Sequence, residues 1–187
     1  LNNLDWHKIL SKKEIKKAYE QTINSSIGVI TSLGKTNIPT FLVFGNADIL
    51  DREVKKFNKD FKFKSLEKEI KKFKNIKVIN KKVIGFKGLK IAGLNYFRKD
   101  NKTITKFLSK TKSLDILLTH NPPYKILDLA MPVKKHLGSK ILNLYIKHKK
   151  PKYLICGHIH EAQGKIKLKN TIIINAGSSK VSQIILP

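Results

Sequence analysis

Disulfides are the first thing this composition excludes. The 187 residues hold one cysteine, Cys156, so no intrachain bridge can form, as expected of a chain kept in a reducing cytoplasm. Arginine is nearly missing. Of 39 basic residues only Arg52 and Arg98 are arginine, and 13 acidic residues leave a net charge of +26. Nucleic-acid readers rely on arginine for bidentate contacts, and the lysines here are scattered through helices and hairpins rather than clustered. With isoleucine and asparagine also abundant, the excess reads as the bias of an AT-rich genome more than as a nucleic-acid footprint. A positive surface still attracts phosphorylated substrates. No apolar run approaches the ~20 residues of a membrane span. A signal-peptide pattern, an internal repeat and a linker are equally missing. Methionine occurs once, at Met131, and the chain does not begin with it. The opening Leu1-Asn2-Asn3-Leu4-Asp5-Trp6 follows no strand or cap, so the expectation is the remainder of a longer protein. What is present is an ordinary hydrophobic share, 41%, enough for one domain over residues 1–187 with a sizeable core.

The hydrophobic periodicity predicts alternating helices and strands. Ser11-Lys12-Lys13-Glu14 has the form of a capping box, and Ile15, Tyr19, Ile23, Ile27 and Ile30 follow at helical spacing up to a stop at Gly34. A strand is expected over Thr40–Phe44, a helix over Ser65–Phe73 and a short strand over Ile76–Ile79. Val83–Phe86 and Leu89–Gly93 read as a hairpin. Thr103–Lys110 reads as a helix, Leu114–Thr119 as a buried strand, and the stretch to Gly138 as irregular. Ser139–Lys149 reads as a helix packed through Ile141, Leu142, Leu144, Tyr145 and Ile146, broken by Pro151. The strand Tyr153–Cys156, a hairpin around Lys169-Asn170, a small-residue loop Asn175–Ser179 and a last strand Val181–Leu186 complete the reading.

Three of these strands run into polar loops: Gly45-Asn46, Thr119-His120 and Gly157-His158-Ile159-His160. Open α/β sheets hold ligands beyond the carboxyl ends of their strands. Imidazole is the commonest protein ligand for transition metals, and an asparagine carbonyl adds a hard oxygen. That mixture suits Mn, Fe or Zn better than Ca or Mg.

Gly45-Asn46-Ala47-Asp48, His120-Asn121-Pro122-Pro123 and Gly157-His158-Ile159-His160, in this order, resemble the last three blocks of the calcineurin-like metallophosphoesterases. Asn175-Ala176-Gly177-Ser178 resembles that family's closing turn. The resemblance implies a four-layer αββα sandwich of two mixed sheets. It implies two divalent metal ions (Mn, Fe, Zn or Ni) and hydrolysis of a phosphomonoester or phosphodiester by a dinuclear, metal-activated hydroxide. By position, Asn46, His120 and His158 would ligate one metal and His160 the other, with Asn46 and His120 also catalytic. Asn121 would reach a substrate oxygen or cap the Pro122-Pro123 turn, and Asp48 would orient its loop or one of the metal ligands from behind.

The chain departs from the pattern in two ways. The family's Asp-x-His and Gly-Asp-x-x-Asp blocks have no convincing counterpart. Asp5-Trp6-His7 has the letters of the first but no strand before it, and no Gly-Asp occurs. The expectation is an upstream strand–loop–helix–strand unit outside this chain, and for the chain alone one weakly held ion and little turnover. Many members also carry a histidine after the motif asparagine as general acid, where this chain has Ala47. His136 is the spare histidine that could lie near the site, although a surface role is the plainer reading. Two other classes stay open: a non-catalytic scaffold of the same fold, and a basic nucleic-acid-binding protein or nuclease. Specificity would lie in Asp51–Lys64 and Tyr124–Leu137.

Overall fold

The computed structural model describes residues 10–48, 62–99, 102–131 and 133–178, and these divide into two compact units. The first holds the residues up to Leu42 together with Asn46–Val78. Its main element is α1 (Lys12–Lys35), opened by the expected capping box: the Glu14 N–H donates to Ser11 Oγ, and the Ser11 N–H donates to Glu14 Oε2 at 2.8 Å. Ile15, Ile23 and Ile30 form its buried ridge. Gly34 does not stop this helix. It lies inside it, where a Cβ would run into the Phe73 ring. The stop comes from Thr36, whose hydroxyl donates to Leu33 O at 2.7 Å, and from Asn37 at φ 56°. The strands β1 (Thr40–Leu42) and β2 (Ile76–Val78) pair in parallel. Between them in sequence stands α2 (Leu66–Ile70), capped by Ser65 and shorter than the periodicity suggests because a turn begins at Lys71.

The second unit, Val43–Gly45 with residues from Ile79 onward, is built on a mixed six-stranded sheet. Its strands are β3 (Lys82–Phe86), β4 (Leu89–Leu94), β5 (Ile116–Thr119), β8 (Tyr153–Cys156), β10 (Thr171–Asn175) and β9 (Gly164–Leu168), in that spatial order. The central four are parallel; β3 and β9 are antiparallel edges supplied by the two predicted hairpins. Register fixes the core. Ala92, Leu117, Leu154 and Ile173 are successive cross-strand partners, and each is fully buried. The helices α3 (Lys102–Lys110) and α4 (Lys140–Lys149) join the same apolar cluster through Ile104, Leu108, Ile141, Leu142, Tyr145 and Ile146. Leu144, expected to pack with them, is 56% exposed, one step around α4 from the buried stripe. The predicted strand over Thr40–Phe44 ends early because Phe44 leaves β1 and donates its N–H to Asn95 Oδ1 at 2.9 Å.

Between Pro123 and Ser139 the chain leaves the sheet and returns. The irregular stretch expected there contains a small hairpin of β6 (Leu129–Ala130) and β7 (Lys135–His136). Strands of two residues are too short to leave a period in the sequence. The hairpin is held instead by Asp128, 1% exposed, which accepts from the N–H groups of Lys125 and Gly138 at 2.9 Å each. Asp5-Trp6-His7, Val181–Leu186 and most of Asp51–Lys64 lie outside the described residues. Among the described residues no helix is long and apolar enough to cross a membrane.

Two outcomes test this account. Leu154→Ala should lower the urea unfolding free energy by about 2–5 kcal/mol, whereas Leu144→Ala should change it by less than about 0.5 kcal/mol. At the opposite end of the sheet from the strand carboxyl termini, Asp115 accepts from Lys152 Nζ and from the Lys90 N–H, both at 2.8 Å. The Lys152 hydrogen bond first, then the Lys90 N–H, hold its carboxyl below the ordinary value of 3.8. A depressed folded pKa stabilises above the unfolded value, and the stabilisation is lost as pH falls through the folded one. Asp115→Asn should therefore melt a few degrees lower at pH 7, and the gap should close below about pH 4.

Candidate metal centre

Four neighbouring parallel strands end at one edge of the six-stranded sheet, and each hands over to a polar residue. β4 leads to Asn95-Tyr96, β5 to His120, β8 to Gly157-His158, and β10 finishes on Asn175. Main-chain bonds carry the pairing past the strands: the His120 N–H donates to Leu94 O, the Gly157 N–H to His120 O, and the Ala176 N–H to Cys156 O. His120 and His158 thus leave the sheet side by side. His120 Nε2 and His158 Nδ1 come to 3.1 Å, with ring centroids 4.9 Å apart. Tyr96 lies against both, 5.7 Å from His120 and 5.3 Å from His158. On the far side of His120 is Gly45, where a Cβ would stand 2.6 Å from Cε1. Only glycine lets the ring lie there.

His158 adopts φ 73°, and the Ile159 N–H donates to Gly157 O at 2.9 Å. This is a γ-turn centred on His158, in the rare positive-φ form. The conformation costs a non-glycine residue about 1–3 kcal/mol and persists only where its surroundings enforce it. Here they do. Asn175, 1% exposed, donates from Nδ2 to both Ile159 O and Leu127 O at 2.9 Å, and its Oδ1 accepts from the Gly177 N–H. One buried amide therefore ties the histidine loop to the excursion that carries Asp128.

Burial depresses the basicity of both rings. The His120 pKa falls to about 4, through desolvation first and then the charges of His158 and His160. His158 is lowered by desolvation and by His160, with Glu161 partly opposing. Near pH 7 both are neutral imidazoles, each with a nitrogen lone pair, the form a metal ligand requires. Two nitrogens each about 2.1 Å from one ion stand about 3.0–3.4 Å apart at angles between a right angle and tetrahedral. The observed 3.1 Å fits that separation. Among the described residues, no three His, Cys, Asp or Glu side chains converge as a complete set of metal ligands.

The other expected residues fall differently. His160 opens a 3-10 turn, His160–Ala162, and is exposed, near enough for its charge to act on both rings. Asn46 and Asp48 follow Gly45 directly in the chain and belong to the first unit. Asn121 is buried, and its amide makes two bonds to the main chain of Phe97, Oδ1 from the N–H and Nδ2 to the carbonyl, each 3.1 Å. It tethers two strand-end loops. Cys156, directly before the histidine loop, is an inert core thiol, pushed up to about 12 by burial and by the charge of Asp128. Sequence reasoning passed over Tyr96 and Asn95. The available signal was β4 itself, a fourth apolar strand running into polar residues like the other three.

Comparison with known proteins agrees with this geometry. The curated protein MJ1162 of Methanocaldococcus jannaschii, described as uncharacterized, is 29% identical over 121 residues, covering 59% of this chain and 52% of that protein. The chain thus spans about half the length of the curated relative it matches. A solved crystal structure superposes with a TM-score of 0.62 at 23% identity, covering 89% of this chain and 68% of the other. The crystal structure of TT1561 of Thermus thermophilus superposes at 0.51 and 13% identity, covering 82% and 69%. Both likenesses concern the fold. The sequence model of the family described as "Metallophosphoesterase, calcineurin superfamily" matches residues 4–184. With nearly the whole sequence matched, and with this fold, the chain belongs to the calcineurin superfamily of metallophosphoesterases.

Proposed function

We propose that this chain carries part of the active centre of a metal-dependent phosphoesterase acting on a phosphomonoester or phosphodiester. The observation that carries the reading is the 3.1 Å approach of His120 Nε2 and His158 Nδ1 at the carboxyl ends of adjacent parallel strands. These two neutral imidazoles, with His160 as a further donor, would hold divalent metal. A bound ion supplies Lewis acidity, stabilising charge on a phosphoryl oxygen and acidifying water. The protein contributes the rest. Tyr96 and the glycine surface of Gly45 confine the His120 ring, and the forced turn at His158 fixes the second donor. The +26 charge draws an anionic substrate toward the molecule. Such a donor set supports one weakly held ion for this chain alone.

Cobalt(II) titration followed by visible absorbance tests the assignment. One ion should bind, and His120→Ala or His158→Ala should weaken it by at least about tenfold. Unchanged affinity in either variant, or two tightly held ions in the parent, contradicts the proposal. The turn at His158 yields a second expectation. His158→Gly should lose cobalt affinity as His158→Ala does, yet unfold at a higher temperature than His158→Ala, by about 1 kcal/mol of relieved backbone strain. Equal melting temperatures would remove the strain from the account.

A further inference from the structure

Cleaving a phosphoester leaves an alkoxide or phenoxide that needs a proton. His120 and His158 face each other, with Tyr96 packed against both. Glu161 accepts the Met131 N–H at 2.9 Å. His148 lies on α4 among residues lining a separate cavity of about 300 Å³ with Thr105, Leu108 and Tyr145. His136 is different. Its Nδ1 lies 2.6 Å from Oδ1 of Asp128, an ion pair when the ring is protonated. The carboxylate is 1% exposed and its other oxygen is held by two main-chain N–H groups, while the His136 side chain is 36% exposed. The ring is therefore fixed through Nδ1, and Nε2 is left to act on something else.

Its position suits that use. His136 pairs with Leu129 across the β6–β7 hairpin, and β6 packs against the 3-10 turn that starts at His160. Asn175 binds Leu127 O and Ile159 O with one amide nitrogen, so the base of the hairpin is tied to the histidine loop. The Asp128 charge is felt at the Cys156 thiol, immediately before that loop. Beside His136 the Tyr124 ring stands edge-on at 5.9 Å, and the ammonium groups of Lys125 and Lys140 lie 5.8 and 5.3 Å from its centroid.

We infer that His136, oriented by Asp128, is the proton donor to the leaving oxygen, and that Tyr124 with Lys125 and Lys140 flanks the departing group. The inference rests on the phosphoesterase reading. As the bond from the water oxygen to phosphorus forms, the bond from phosphorus to the leaving oxygen breaks, and its electron pair stays on that oxygen. The proton on His136 Nε2 moves to it, giving a free alcohol, and the proton released by the attacking water later restores His136. Asp128 is a positioning residue and never touches substrate. The platform favours a leaving group with a flat or apolar body and a further negative charge.

The test uses the manganese-loaded protein and two phosphomonoesters that differ in leaving group, phenyl phosphate and 2,4-dinitrophenyl phosphate. His136→Gln should lower kcat/KM on phenyl phosphate by about 100-fold or more. It should leave the dinitrophenyl ester, whose leaving group needs no proton, within about threefold of the parent. Asp128→Asn should show the same selective loss, less severely. Equal losses on both esters would mean a purely structural role and overturn the inference while leaving the phosphoesterase reading intact. Turnover by this chain alone is expected to be slow, and a parent no faster than a manganese-only blank on either ester overturns both. Independently of metal, inorganic phosphate should shift the His136 ring resonances in NMR spectra of the metal-free protein, and an unmoved ring also overturns the inference.

Discussion

Parallel pairing of β4, β5, β8 and β10 is the constraint from which the site follows. In a parallel sheet every carboxyl end falls at the same edge, so whatever the sequence puts after each strand is collected there. The row Ala92, Leu117, Leu154 and Ile173 holds the four strands in one register. A slip of one residue would turn every side chain to the opposite face. The same register brings Leu94 opposite Thr119 and Asn175 opposite Cys156, so the strands finish nearly level. His120 and His158, one residue and two residues past their strands, then have little choice but to meet. Apolar burial a few residues inside the sheet sets the distance between two polar nitrogens outside it.

That polar edge is also where local preferences are overruled. The β-region conformation that suits the rest of β8 gives way at His158 to a positive φ, and Asn175, Asn121 and Asp128 are buried polar groups in a region that could have been apolar. Each is satisfied by main-chain partners, Asn175 from 127 and 159, Asn121 from 97, and Asp128 from 125 and 138 of its own excursion. Removing any of them would strand buried N–H or C=O groups, at about 1–3 kcal/mol for each group left unpaired. These side chains do for the loops what register does for the strands.

This division explains what could be read from the sequence. The strands of the six-stranded sheet, its two edge hairpins, the capping box at Ser11 and the helices at residues 102–110 and 140–149 carry periodicity or cap chemistry within ten or so residues, and they were legible. So was the grouping of His120 with the Gly157–His160 loop, because strand-then-polar is a local signal repeated at each strand end. Gly34 was misread because a helical glycine near a helix end looks like a stop, while its reason is Phe73, some forty residues away. Leu144 was assigned to the core by hydrophobicity alone, although its position around α4 points outward. Nothing near Asn121 in sequence reveals that both ends of its amide bind the main chain of Phe97. The pairing of Asp128 with His136 was equally invisible, since it depends on a hairpin of two-residue strands. Contacts between side chains and distant or irregular backbone leave no period in the sequence.

The donor set has a consequence for the chemistry. Imidazole is neutral, so an ion held as proposed by His120 and His158 would keep its full charge, whereas carboxylate ligands would neutralise part of it. The acidic groups near the histidine loop keep their charge but are held elsewhere, Glu161 by the Met131 N–H and Asp128 by His136 and two main-chain N–H groups, so they act on the loop from a distance. The surrounding lysines add repulsion, although at physiological salt it is screened beyond about 8 Å. A cation in such surroundings is bound more weakly and polarises its substrate more strongly. The binding of an anion then becomes the natural source of the missing negative charge, so metal and phosphoester should each raise the affinity for the other, by reciprocity of coupling.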